Sequence, residues 1–219
     1  NRQGQLIDTH AHVYLDEFLK DRAELIKRSS KKNIIKILMP NIDFNTISPM
    51  LELSKCYKGI CFHMLGLHPC YLKENYKSEI TKILSFVNKE TIAIGEIGMD
   101  LYHSKDNINN QIDALEIQCE YALKKNLPIV LHTRNSINQT IDVITKYKGK
   151  LKGVFHCFDG EYDQVKKIIN LGFKIGIGGI ITFKNSKLSE VISKINLKDI
   201  VLETDSPYLS PEPHRGKRN

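Results

Sequence analysis

Eight short apolar, β-branched runs recur along the chain, at 6–11, 34–42, 60–67, 91–97, 128–132, 151–158, 173–183 and 199–204. Apolar on both faces, such runs suit strands buried between two layers. Between them lie segments whose apolar residues return every three or four positions. The clearest places Ile108, Ile112, Leu115, Cys119 and Leu123 on one helical face, and others span about 17–32, 46–57, 79–88, 137–147, 162–171 and 188–195. Strand and helix alternate throughout, which predicts an α/β fold with a parallel sheet covered by helices. Eight such units fit a closed (β/α)8 TIM barrel. A doubly wound open sheet is the alternative, but it usually carries a GxGxxG turn after its first strand, and here the first run leads into Thr9-His10-Ala11-His12.

No linker or low-complexity tract divides the sequence, so residues 1–219 read as one domain. After Asp205 only 14 residues remain, rich in Pro, Arg and Lys, and too irregular for an eighth helix. The barrel is therefore expected to lack most of its last helix. There is no initiator Met and a strand-like segment starts at Gln5, so residues 1–4 read as an added remnant or a cut into a longer precursor. No apolar run approaches the ~20 residues a spanning helix needs, and no secretory core opens the chain. Five scattered cysteines without a CxxC pair argue against a disulfide framework and for a reducing compartment. The cytoplasm is the default, with export left open because native targeting is not visible. The net charge of +7 favours a polyanionic partner, but Lys outnumbers Arg 26 to 6 amid 29 Ile and 16 Asn, a bias that AT-rich coding would produce by itself.

In a parallel barrel the C-terminal ends of the strands form the active face. The residues there are selective: His10 and His12 after the first run, Glu96 in the fourth, His132 in the fifth, His156 in the sixth and Asp205 after the eighth. His10 and His12, two apart on an extended segment, point the same way. Glu96 follows Ile92-Ala93-Ile94-Gly95, where a carboxylate is costly unless paired or metal-bound. Four histidines and two carboxylates are too many for one tetrahedral ion and suit a two-metal site. His10, His12 and Asp205 would hold one ion, His132 and His156 the other, with Glu96 bridging. Asp205 would keep a second oxygen free as general base. Taken singly, each histidine could instead be satisfied by a backbone carbonyl, and Asp205 could be a turn opener before Ser206-Pro207.

Asp8-Thr9-His10-Ala11-His12, Gly66-Leu67-His68-Pro69, Gly95-Glu96-Ile97-Gly98-Met99-Asp100, Leu127 to Arg134, His156 to Gly160, Glu203 to Leu209 and Pro213 to Asn219 together resemble the TatD family of metal-dependent deoxyribonucleases. The resemblance implies a TIM barrel, metal-dependent hydrolysis of DNA, often as a 3′-to-5′ exonuclease and sometimes as an endonuclease, and the same six metal ligands. It also points to His68 as a phosphate contact, the alternative being a turn histidine fixed by Pro69. Arg134, two past His132, is a candidate phosphate fork or a rim salt bridge. Arg215, with Lys217 and Arg218, is a candidate contact to the DNA backbone. Two departures stand out: the chain stops where the family continues into a final helix, and Cys70 occupies a position that is more often a polar residue such as His.

The expected cofactor is thus two divalent ions. Imidazole-rich donors favour Zn or Mn, while the resemblance brings in Mg. The expected partner is DNA, for a monomer with no membrane or protein partner. The rival within enzymes is a binuclear amide or ester hydrolase on the same barrel. Many such enzymes bridge their metals with a carboxylated lysine from strand four, and here 91–98 holds Glu96 and no Lys.

Overall fold

The computed structural model describes residues 4–102 and 106–219, so the expectation for residues 1–4 falls mostly outside the described residues. Strands and helices alternate: β1 (Leu6–Asp8), α1 (Arg22–Lys31), β2 (Ile34–Met39), α2 (Ile47–Cys56), β3 (Cys61–His63), α3 (Tyr76–Leu84), β4 (Ile94–Asp100), α4 (Ile108–Lys125), β5 (Ile129–Arg134), α5 (Ile137–Thr145), β6 (Gly153–Phe155), α6 (Tyr162–Asn170), β7 (Phe173–Ile177), α7 (Leu188–Ile192) and β8 (Ile200–Leu202). Each of the eight apolar runs contains a strand. No described helix is long and apolar enough to cross a membrane.

All pairings are parallel, in the orders β1-β2-β3 and β4-β5-β6-β7-β8. Two seams join these arcs. The Leu65 to Ile94 bridge, with Gly95 N donating to Leu65 O at 3.0 Å, links β3 to β4. Thr9 N donating to Leu202 O at 3.0 Å, and Asp205 N to His10 O at 2.8 Å, link β8 to β1. The result is the closed α/β barrel the alternation predicts, with no helix after β8 among the described residues.

Helices pack by their apolar stripes: Val165 and Ile168 of α6 and Ile141 and Ile144 of α5 are buried in the cluster that surrounds the strands. All seven residues of β4 are buried. The β4–β5 approach depends on Gly98, where φ is +138° and a Cβ would sit 2.1 Å from the His132 carbonyl oxygen. The β1–β8 seam is different, because Leu6, Ile7 and Leu202 remain 45, 41 and 54% exposed on its outside.

Several elements differ from the sequence expectation at their ends. β1 stops at Asp8 because the Asp8 carboxylate captures the His10 N–H. β4 runs on to Asp100, so Glu96 is a mid-strand residue. α3 spans Tyr76–Leu84, not 79–88, since the buried Tyr76 donates its hydroxyl to Asp113 of α4 and draws the helix start forward. The expected 17–32 helix splits into a 3-10 turn at Asp16–Phe18 and α1.

Candidate metal centre

Glu96 organises the C-terminal mouth of the barrel. The pairing of β4 with β5 shifts register between Ile94 and Ile97, and the Glu96 N–H turns away to donate to the Asn41 carbonyl at 3.0 Å. Its side chain is 3% exposed and its two oxygens face different groups. Oε2 lies 3.2 Å from His10 Nε2 and 3.5 Å from His12 Nε2. Oε1 lies 2.8 Å from His156 Nε2, 3.1 Å from His132 Nδ1 and 3.3 Å from His68 Nε2. Asp205, held at φ +57° beyond β8, places Oδ1 3.5 Å from both His10 Nε2 and His12 Nε2. The His10 and His156 rings stack with centroids 3.7 Å apart.

The outward nitrogens of His12 and His132 are anchored, and this sets which of their ring nitrogens carry protons. Tyr14 donates its hydroxyl to Pro40 O at 2.7 Å, so its oxygen accepts from His12 Nδ1–H at 3.0 Å. His12 therefore presents a bare Nε2 to the carboxylates. His132 donates from Nε2 to Asp100 at 2.9 Å, leaving Nδ1 to face Glu96. His156 directs Nδ1 at Glu203, 3.4 Å away. Glu203 is itself fully buried in a recess against Gly176, where a Cβ would come within 2.5 Å of its Oε2. Carboxylate–histidine pairs of this kind orient metal-ligating imidazoles. His68 accepts the Cys70 N–H at Nδ1, so its proton is on Nε2.

The bare nitrogens of His12 and His132 thus point their lone pairs at carboxylate oxygens inside a buried pocket. Lone pair against lone pair is repulsive, and a divalent cation between them removes the conflict. Among the described residues, ligand atoms of His10, His12 and Asp205 lie within 4.8 Å of one another, as do those of His10, Glu96 and His156, and those of His68, Cys70 and His132. The donor set of imidazole and carboxylate fits a metal. Positive charge on the rings relieves the same conflict where no cation does: burial works against a charged His156, yet Glu96 and Glu203 raise it well above the ordinary imidazole value. Burial alone would raise the Glu96 carboxyl, but His156, His68 and His10 hold it well below the usual carboxylate range. Burial likewise works against Asp205, yet His12, His10 and His156 beside it lower it.

The comparisons with known proteins agree with this geometry. The sequence profile of the TatD related DNase family matches residues 7–219. The chain belongs to the TatD family. An uncharacterized metal-dependent hydrolase of Buchnera aphidicola from Acyrthosiphon pisum is 37% identical, over 98% of this chain and 85% of that protein. The metal-dependent hydrolase YabD of Bacillus subtilis is 30% identical over 98% and 85%. Among solved structures, the TatD homologue YjjV of Escherichia coli superposes with a TM-score of 0.88 at 29% identity, covering 98% of this chain and 84% of that one. The chain is a metal-dependent hydrolase of the TatD family with histidine and carboxylate groups positioned to bind metal.

The structure brings His12, Glu96, His132, His156 and Asp205 of this TatD member, with His68 and Arg134, to the wall of one cavity of about 610 Å³, and places His10 fully buried behind Glu96 and Asp205. The Arg134 guanidinium stacks 3.7 Å from the Tyr102 ring centroid. Arg215 does not line that cavity but the one beside it. Arg218 departs from the sequence expectation: it pairs with Asp21 and covers the Phe18 ring, so its role here is to tie down the tail. Asn219 completes that tether by donating from Nδ2 to Thr204 O and Tyr208 O, across the loop that carries Asp205. Cys70 turns its thiol to Asp100 at 3.3 Å. Sequence reasoning missed Tyr14, Asp100 and Glu203 as anchors. Two of them lie inside the quoted motifs, and a carboxylate next to an apolar strand was the available signal.

Proposed function

We propose that the chain is a deoxyribonuclease that hydrolyses DNA phosphodiester bonds at this centre with two divalent cations, acting as a 3′-to-5′ exonuclease. The observation that carries the proposal is the division of donors across Glu96. Oε2 serves the His10, His12 and Asp205 side, and Oε1 serves the His132 and His156 side. A carboxylate placed this way would hold an ion on each side, His10, His12 and Asp205 completing one set of ligands and His132 and His156 the other. When bound, such a pair of cations lowers the pKa of water toward ~7 and neutralises charge on a phosphoryl group.

The chain's own residues supply the rest. His68 Nε2–H at the cavity wall donates to a phosphate oxygen, and Arg134 offers a planar fork to the same group. Asp205, with Oδ1 turned to His10 and His12, takes the proton of the attacking water on its other carboxylate oxygen. Asp100 and Tyr14 keep His132 and His12 in the tautomers that leave the inward nitrogens bare, and Glu203 stands 3.4 Å from His156 Nδ1. Glu96 at the β4 position is the feature that sets this reading above an amide hydrolase bridged by a modified lysine.

The test is incubation of the purified protein with end-labelled single- and double-stranded DNA, with and without EDTA, beside a panel of amides and esters. The expected result is stepwise shortening from the 3′ end, abolished by EDTA and restored by Mn²⁺ or Mg²⁺. Metal-dependent cleavage of an amide with the DNA intact would overturn the proposal.

A further inference from the structure

A second cavity, of about 640 Å³, lies beside the metal centre between the start of α6 and the connection from β7 to α7. That size falls within the ~300–1,000 Å³ typical of sites for small molecules. The two cavities share Asp159 and Ile180 in their walls, so each opens onto the other. The second is lined by three cations, Lys187, Lys194 and Arg215, and none of them is ion-paired among the described residues. Two rings stand with them. The Arg215 guanidinium lies 4.3 Å from the Phe183 ring centroid, and Lys194 Nζ lies 5.5 Å from that of Tyr162. Asp159, Glu161 and Glu190 share the wall, as many carboxylates as cations, so net charge does not define what the cavity takes and the placement of its cations beside rings does.

Cations alternating with flat rings match a chain that alternates phosphates with bases. Stacking surfaces of ring and guanidinium take any base, and the ammonium groups take the backbone between bases. We propose that this cavity is a nucleotide-binding subsite for single-stranded DNA. It holds an unpaired nucleotide of the strand whose scissile phosphate sits at the metal centre, with its base against the Phe183–Arg215 pair and its phosphate near Lys187 and Lys194. The proposal rests on the nuclease reading above and adds a strand path and a preference: a base that is paired in a duplex cannot enter.

The experiment compares kcat/KM on oligothymidylates of two and six nucleotides, and on a blunt duplex, with Mn²⁺ and the full chain. In the wild-type protein the six-nucleotide strand should exceed the dinucleotide by about tenfold, the scale of one stacked base, and the duplex should show no such gain. Phe183→Ala, or Lys187→Gln with Lys194→Gln, should bring that ratio close to one, while Phe183→Tyr, which retains the ring, should keep it. A 2-aminopurine stepped along the strand should be quenched at one position in the wild type and regain fluorescence in Phe183→Ala. An unchanged length ratio in the variants, or an equal gain on duplex, overturns the subsite and leaves the nuclease reading standing. EDTA-sensitive hydrolysis of other esters with no cleavage of any oligonucleotide overturns both.

Discussion

β4 and β8 each deliver a carboxylate to the same mouth, and they hold it by opposite means. Glu96 stands in the middle of a seven-residue strand buried along its whole length. Asp205 stands beyond a three-residue strand whose last residue, Leu202, is 54% exposed. What replaces packing at the second site is a polar web. Asp8 accepts the Thr204 N–H at 3.0 Å, the Thr204 hydroxyl at 2.7 Å and the His10 N–H at 3.3 Å. Asn219 binds the same loop from the other side. One half of the centre is therefore placed by the core, the other by hydrogen bonds at the closing seam, and the two should fail differently.

The sharpest break comes at Gly98. A valine there meets the His132 carbonyl and must adopt φ +138°, so Gly98→Val should prevent β4 from pairing with β5 and leave no cooperative thermal transition by circular dichroism. Next is Ile97→Ala, which opens a cavity at a residue with 0% exposure. It should cost about 3–4 kcal/mol, or roughly 6–15 °C in Tm for a domain of this size. Asp8→Ala strands buried donors and should cost about 2 kcal/mol. Its diagnostic is metal affinity, which should fall while far-ultraviolet dichroism stays native; a larger stability loss than that of Ile97→Ala would mean that the seam, not the core, carries the barrel. Smallest is Leu202→Ala on the outer face of β8, expected within about 0.5 kcal/mol by denaturant titration.

The same contrast explains how much was legible in the sequence. β4 and β5 announce themselves as apolar runs because burial on both faces leaves no other composition. The ligand types at the strand ends were legible for the same reason, since Glu96 and His132 interrupt hydrophobic stretches. Strand ends at the seam were not, because β1 is cut short by an Asp8 side chain that competes for backbone N–H groups, an interaction invisible to periodicity. The role of Arg218 was hidden too: its partner Asp21 lies at the far end of the chain. Glu203 and Asp100 were within recognisable motifs, yet their tasks depend on which nitrogen of His156 and His132 faces them, and that is a property of the folded mouth.

As proposed above, Glu96 would join two metal positions. Equilibrium dialysis against Mn²⁺ or Zn²⁺ followed by elemental mass spectrometry measures it directly, in the wild-type chain and in Glu96→Ala. The expected result is about two ions per wild-type chain and loss of both from a Glu96→Ala protein that melts as a folded domain. Retention of two ions by that variant, or a wild-type chain that saturates with one, would contradict it.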